Sequence, residues 1–597
     1  MSGWGVSEAA LHVLWLSAAL VPLGIAAGQA LVGLAPAPGS ERARRVLTWL
    51  APLAVLPAAW LGLGGPAGSE VDMFWLLLGT SFHLDGLGRV LLVMSAALYG
   101  LALVMVARSG DERASALSGL LLLCFVANAG VFVAADVITL YLCFTVMSLV
   151  GYALVIHDRS AEARRAGRIY LFLAIAGETA VLAASMLTVH AGGLHLADAP
   201  AAVATAEHTG VIVALLWVGF GIKVGVVPLH VWLPLAHPAA PTPASAVLSG
   251  AMITGGLAGW LRMLPLGEAT MTGWGMVFAI TGLAGAYAAV LLGVLQAQPK
   301  AVLAYSSVSQ MGLLSALVGA GLLLPEAAGA FIAAAVLYAA HHGIIKAGLF
   351  FGVGLWHSHG AGPVRWLVMA GLVAGGLSLA GWPLTSGYLA KYLAKDAAAG
   401  LELAGLDMYG LLVGVGTGST LLVARTLWLL RGVAPGAGRL DVTLVAWLAL
   451  LAGSIPLVTS ATGGLWDGPL PGWWDLGTWW DQGWPVLAGL ALVVLAWRVS
   501  RAEVLPEWLG HPDGRAVPPG DVVVAEERLA TRIRSGVQVV VAVLGQGRAA
   551  VAQRAGRLPS PSRWFNIAEQ HLAAWRASGL TLLGLVSVFL VMTGWGR

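Results

Sequence analysis

Lys223, His342, Lys346 and Lys391 each stand inside a run of otherwise apolar sequence. An ionisable group at the centre of a bilayer costs roughly 3 kcal/mol or more, so each needs a partner, a hydrated cavity or a task. The chemistry open to such groups is proton exchange. Burial disfavours the charged form of a lysine, and an imidazole titrates near neutrality. In "GIKVGVVPLHVWLPLAHPAAPTPASA" (221–246) Lys223 is followed by Gly225 and Pro228, then by His230 and His237. Proline removes a backbone donor and disfavours helical geometry in the residue before it, so a helix should break just past the lysine. Broken backbone at membrane depth is tolerated only where it is buried in protein or lines a cavity. The pattern returns in "LSLAGWPLTSGYLAKYLAKD" (377–396), where Gly381, Pro383 and Gly387 precede Lys391. Between the two, "VLYAAHHGIIKAGLFFGVG" (336–354) places His342 and Lys346 four residues apart, on one helix face. Histidine and lysine in series within a membrane suggest a proton relay.

The elements that must position these groups are helices. Of 597 residues, 58% are hydrophobic and 10% charged, which excludes a soluble globular domain. Short alternating segments of the β-barrel kind are absent. The expected fold is an all-α polytopic membrane protein with about sixteen spans of the ~20 residues that cross a bilayer. They lie near 8–34, 46–64, 86–108, 114–133, 136–157, 168–190, 209–236, 243–264, 273–295, 300–323, 326–356, 365–394, 406–431, 440–461, 484–499 and 576–594. The first reads as a helix rather than a cleaved signal. Paired interrupted helices point to two inverted repeats, 114–264 and 273–431. They are flanked by N-terminal helices (1–113), additional helices (440–499), a linker (500–575) and a last span (576–597). Within the linker, 521–556 carries apolar residues at helical spacing broken by Arg528, Arg532 and Arg534, as in an amphipathic helix along a membrane surface or partner subunits.

Loop charges set the orientation. One set of loops carries Arg42, Arg44, Arg45, Arg108, Arg113, Arg159, Arg164, Arg165, Arg168, Lys300, Arg365, Arg431 and Arg439; the other has little beyond Arg262 and Lys395. The positive-inside rule makes the first set cytoplasmic, with both termini outward, in a bacterial inner membrane. The Trp-rich stretch 465–484 then reads as an outer loop anchored at the interface. Cys124 and Cys143, both within apolar runs, are too few to ligate a redox cluster and read as core residues. No metal site, flavin, nucleotide or iron–sulfur motif is present, so no cofactor is expected and any redox chemistry would lie in another subunit. The net charge of +3 carries no signal for nucleic acid.

The segments "GIKVGVVPLHVWLPLAHPAAPTPASAVLSGAMI", "PKAVLAYSSVSQMG", "HHGIIKAGLFF" and "GWPLTSGYLAK" resemble the signatures of the proton-antiporter-like membrane subunits. That family includes antiporter-like subunits of respiratory complex I, large subunits of Mrp-type cation/proton antiporters and subunits of membrane-bound hydrogenases. The resemblance covers about 115–395 and is specific for the family, not for a member. It implies that Lys223 is the central lysine of the first broken helix, with His230 and His237 as the histidines that follow. It likewise implies that His342 and Lys346 form the middle of a polar axis and that Lys391 is its terminal lysine. Two positions depart from the family pattern. Thr145, in "LYLCFTVMSLVGYALV", stands where a glutamate is usual, and Thr254 replaces a lysine. Glu178, deep in "FLAIAGETAVLAA", is the candidate substitute carboxylate for Lys223; the alternative is a silent first half-channel.

Plainer roles stand beside these. Lys223 and Lys391 could snorkel to an interface; His237 could cap and pack. His341, next to His342, is equally a packing residue or a relay member. Lys300 could take up protons or serve as a positive-inside anchor. Asp136 could join an exit path or cap a helix. The expected function is proton translocation in a complex I-related assembly, alongside other membrane subunits and a redox module. The alternatives are Na⁺ or K⁺ exchange for H⁺, energising a large soluble partner such as an inorganic-carbon uptake protein, and a scaffold that has lost transport.

Overall fold

The computed structural model describes residues 8–34, 39–73, 79–433, 436, 438–502, 506, 512–513, 517–521 and 524. The last expected span (576–594) and, apart from residues 521 and 524, the expected amphipathic helix (521–556) lie outside the described residues.

Inside a bilayer a helix satisfies its own backbone, so apolar runs of this length become helices. They begin with α1 (Glu8–Leu34), α2 (Ser40–Leu50), α3 (Leu56–Gly64), α4 (Gly86–Arg108), α5 (Ala114–Val133), α6 (Val137–Val155) and α7 (Ala161–His190). Next come α8 (Ala199–Thr205), α9 (Thr209–Val224), α10 (Trp232–Ala239), α11 (Thr242–Val247), α12 (Ile253–Met263), α13 (Thr272–Val294) and α14 (Pro299–Leu323). The chain continues through α15 (Ala328–His359), α16 (Arg365–Ala380), α17 (Ser386–Ala397), α18 (Met408–Leu430), α19 (Val442–Leu465) and α20 (Leu476–Arg501). Among the described residues thirteen helices are long and apolar enough to cross a membrane, with α2–α3 and α11–α12 each counted once. Two short antiparallel strand pairs, Ser69–Met73 with Thr80–Leu84 and Glu402–Leu403 with Leu406–Asp407, lie in connections and were not expected.

The two shorter apolar helices are α9 and α16, and both stop at the predicted breaks. After α9 the backbone turns left-handed at Gly225, φ 80°. Trp232 Nε1 donates to Ile222 O at 2.6 Å, which satisfies a carbonyl near the interrupted end. After α16, Gly381 adopts φ 95°, a conformation that side chains with a Cβ resist. Its amide reaches Leu377 O and Ser378 O, both at 3.0 Å. The chain restarts at α17, where Thr385 Oγ1 accepts from Tyr388 N at 3.2 Å. The two halves overlap so closely that a Cβ at Gly387 would collide with Ser378 O.

The α11–α12 helix and α14 are buried along their apolar lengths, and α15 nearly so; α1 and α20 are mostly exposed. The buried helices are not purely apolar: Ser249, Ser306, Ser307, Ser309, Gln310, Ser315, His341, His342 and Lys346 are fully buried. Buried polar groups are therefore carried by the π turn before α12, by α14 and by α15. A wide π turn, Leu248–Met252, joins α11 to α12 and carries Ser249, and Ser249 and Ser307 share a 2.7 Å hydrogen bond. One expectation needs correcting. The Trp-rich stretch is a loop only up to Asp475, which accepts from Gly477 N and Thr478 N and starts α20. Trp479, Trp480 and Trp484 are helical because an aspartate N-cap pays for the first free amides.

Candidate functional site

The first cluster gathers around Lys223, at the last turn of α9 and only 3% exposed. Its Nζ donates to Tyr170 Oη of α7 at 3.0 Å, and that phenol donates to Ser148 O at 3.0 Å. The rings of Tyr170, Phe144 and Trp232 have centroids 5.1, 5.7 and 5.8 Å from Nζ. A cation inside such a cage is held partly by ring quadrupoles. Its direct hydrogen-bond partner is thus a phenol. Glu178, also on α7 and 8% exposed, accepts from Thr145 Oγ1 at 2.6 Å. The carboxylate and the threonine that depart from the family pattern are therefore bonded to each other.

His230 lies in the linker between α9 and α10, with Nε2 3.0 Å from Asp521 Oδ2. His237, on α10, stacks on Phe350 with centroids 4.6 Å apart. Neither of its ring nitrogens has a hydrogen-bond partner among the described residues. Phe350 also faces Lys346, whose Nζ is 5.6 Å from its centroid and donates to Leu303 O at 2.6 Å. One aromatic ring thus stands between the second histidine of the first half and the lysine of the second. Lys300, at the start of α14, donates to Ala240 O at 2.8 Å and Ser245 Oγ at 3.4 Å. Ser245 Oγ in turn donates to His237 O at 2.9 Å, so Lys300 binds the turn that carries His237.

On α15 the two adjacent histidines diverge. His342 shares a helix face with Lys346. His341 Nδ1 instead bonds Ser386 Oγ of α17 at 2.9 Å, and Ser386 Oγ donates to Ser454 Oγ at 3.0 Å. The His341 ring also meets Tyr338 edge-on at 5.8 Å. Tyr338 Oη donates to Gln310 Oε1 at 2.6 Å, and Gln310 Nε2 donates to Ser419 Oγ at 3.1 Å. His341, left open between packing and relay, is the histidine that reaches the second broken helix.

Lys391 on α17 is 6% exposed, and its Nζ has no hydrogen-bond partner among the described residues. It borders a cavity of about 10 Å³, also lined by Lys395, Gly416, Gln482 and Pro485. That is room for about one water. Lys395, one turn on and 5% exposed, donates to Asp481 O at 3.4 Å and lies 5.4 Å from the Tyr409 ring centroid. The sequence alone placed Lys395 among loop charges. Asp136 caps α6, accepting from Thr139 N at 2.7 Å, and also accepts from Ser81 N at 3.0 Å. Thr254 Oγ1 donates to Ala251 O at 2.6 Å within its own helix.

Residues 134–400 match the family described as NADH:quinone oxidoreductase/Mrp antiporter, transmembrane. Hydrogenase-4 component B of Escherichia coli is 29% identical over 345 residues, 53% of this chain and 51% of that one. The chain thus spans about half the length of that relative. NADH-quinone oxidoreductase subunit N of Rhizorhabdus wittichii is 28% identical over 71% of this chain and 92% of that one. Among solved structures, the Mrp complex from a Dietzia species is similar with a TM-score of 0.69 and 21% identity, covering 92% of this chain and 64% of that one, a likeness of fold. The segment that matches the family model holds Lys223, His342, Lys346, Lys391 and both helix breaks. Over residues 134–400 the chain is similar to the NADH:quinone oxidoreductase/Mrp antiporter family of membrane subunits.

Proposed function

We propose that the chain is a proton-translocating subunit of a multi-subunit membrane assembly related to complex I and membrane-bound hydrogenases. Protons are taken up from the cytoplasmic side near Lys300 and His237, pass Lys346, His342 and His341, and leave through Lys391 and Lys395. Lys223, with Glu178 as its proposed carboxylate partner, forms the first half-channel. The repeats are inverted, so the two broken helices present their lysines from opposite directions. The observation that carries this reading is the buried series itself: Lys223, His342, Lys346 and Lys391 are each at most 6% exposed. Buried ionisable groups inside a membrane are costly and mark ion pathways. The sequence relatives at 28–29% identity bear the names of redox complexes, which favours a redox-driven partner over sodium exchange. By the positive-inside rule both termini face outward.

The test is Lys391→Ala in the full chain, in its native membrane and with assembly verified. Proton flux in everted vesicles under an imposed membrane potential should fall to background. Full flux in correctly assembled Lys391→Ala membranes rules the relay out.

A further inference from the structure

Residues 512–513 and 517–521 follow α20 and belong to neither broken helix, yet residues 520 and 521 lie against the foot of the first one. Arg425, on α18, donates from Nη2 to Pro512 O at 2.9 Å and to Gln296 O at 2.9 Å. Gln296, in the α13–α14 turn, donates from Nε2 to Val517 O at 3.1 Å. Pro512 and Val517 are thus each anchored through a backbone carbonyl, by α18 and by the α13–α14 turn. Gly520, at φ 88°, then sits against Leu235 of α10. The next side chain, Asp521, points inward, with 9% of it exposed.

One oxygen of that carboxylate meets two buried groups. Asp521 Oδ2 lies 3.0 Å from His230 Nε2 and accepts from Tyr305 Oη at 2.9 Å. His230 is 3% exposed and Tyr305 fully buried. His230 comes from the linker of the first broken helix and Tyr305 from the second turn of α14. Two residues upstream on α14, Leu303 O accepts from Lys346 Nζ at 2.6 Å.

Anchoring is already supplied by Arg425 and Gln296 through those backbone carbonyls. A carboxylate directed at a buried imidazole adds something else: the pair can hold a proton on either partner, while the phenol fixes the oxygen between them. We infer that Asp521 and His230 form a proton-loading site at the foot of the first broken helix, positioned by Tyr305. The site makes the region beyond α20 a contributor to the proton path. This rests on the proton-translocation reading given above.

Asp521→Asn keeps the shape and leaves a carbonyl to accept from Tyr305, but removes the exchangeable carboxyl proton. In native membranes that assemble normally, it should slow proton flux under an imposed potential about tenfold or more, within the range for loss of one acid–base group. Tyr305→Phe keeps the pair and loses one hydrogen bond, and should slow flux by about two- to threefold. Wild-type flux in Asp521→Asn overturns the site. Should Asp521→Asn fail to accumulate, His230→Gln takes its place: about a tenfold loss supports the site, and unchanged flux overturns it. Lys391→Ala, measured alongside, separates the two claims. If Lys391→Ala abolishes flux and Asp521→Asn does not change it, only the loading site falls. If Lys391→Ala keeps full flux, the translocation reading falls and this site with it.

Discussion

Thr145 Oγ1 donates to Glu178 Oε2 at 2.6 Å, from α6 to α7. Glu178 on the sixth crossing is thus bonded to Thr145 on the fifth, the position where the resemblance leads one to expect a glutamate. Tyr170, eight positions before Glu178 on the same helix, makes the direct contact to Lys223. If Glu178 performs the missing carboxylate's task, the task follows the charge and not the helix. Glu178→Gln should lower proton flux by about tenfold at unchanged assembly. Moving the carboxylate back, in Thr145→Glu with Glu178→Thr, should recover a substantial part of it. Wild-type flux in Glu178→Gln membranes points to a silent first half-channel.

Both helix breaks were legible because their causes are local. Glycine and proline sit within a few residues of Lys223 and Lys391, and their backbone effects do not depend on neighbours. The same holds for Asp136, whose place before an apolar run is that of an N-cap. What the sequence left open was decided across helices. His342 drew notice because its spacing to Lys346 is helical, whereas His341 reaches α17 through Ser386, a contact 45 residues away in sequence. Lys395 reads as a loop charge until α20 and Tyr409 cover it. Asp521 carries no local signal, since its partners lie 291 and 216 residues earlier.

The observed helix α6 ends at Val155, so His157 lies beyond it rather than within the expected span 136–157, and Arg113 Nη1 donates to its carbonyl at 2.7 Å. Burial, then the nearby Arg113 charge, pushes its imidazole below the usual histidine value. The folded state therefore binds this proton less readily than the unfolded chain. The neutral ring is tolerated above the unfolded pKa of about 6.5; as pH falls below it, the unfolded state gains protons and folded stability declines. His157→Gln removes that term. Detergent-purified protein should lose less thermal stability between about pH 7.5 and about pH 5.5 as the Gln variant than as wild type. Equal losses contradict the assignment.

Arg262, at the end of α12, donates to both oxygens of Asp85, at 3.0 and 3.1 Å, and to Phe132 O at 2.7 Å. Asp85 in turn caps α4, accepting from Gly88 N at 2.7 Å. The guanidinium thus ties three helix ends together. Its side chain is 9% exposed and that of Asp85 is 35% exposed. Arg262→Ala should cost about 2 kcal/mol, below the range for a fully buried pair because water reaches the aspartate. The readout is a lower unfolding midpoint with flux per assembled complex unchanged. A lowered flux per complex assigns Arg262 to transport.

Lys395 supplies the last test. It stands one turn beyond Lys391 on α17, so the two ammonium groups share a helix face and one small cavity. Two cations so placed disfavour simultaneous charging, which is what a terminal exchange step needs: arrival of a proton at one favours departure from the other. The Lys395 ammonium donates to Asp481 O at 3.4 Å and lies 5.4 Å from the Tyr409 ring centroid. Lys395→Ala should slow proton release several-fold while leaving assembly intact. Lys395→Arg, always charged, should slow it at least as much, because it presents a fixed cation to Lys391. A structural anchor predicts the opposite order, with arginine near wild type. The flux ratio of the two variants, measured in the same everted vesicles, decides between exit residue and anchor.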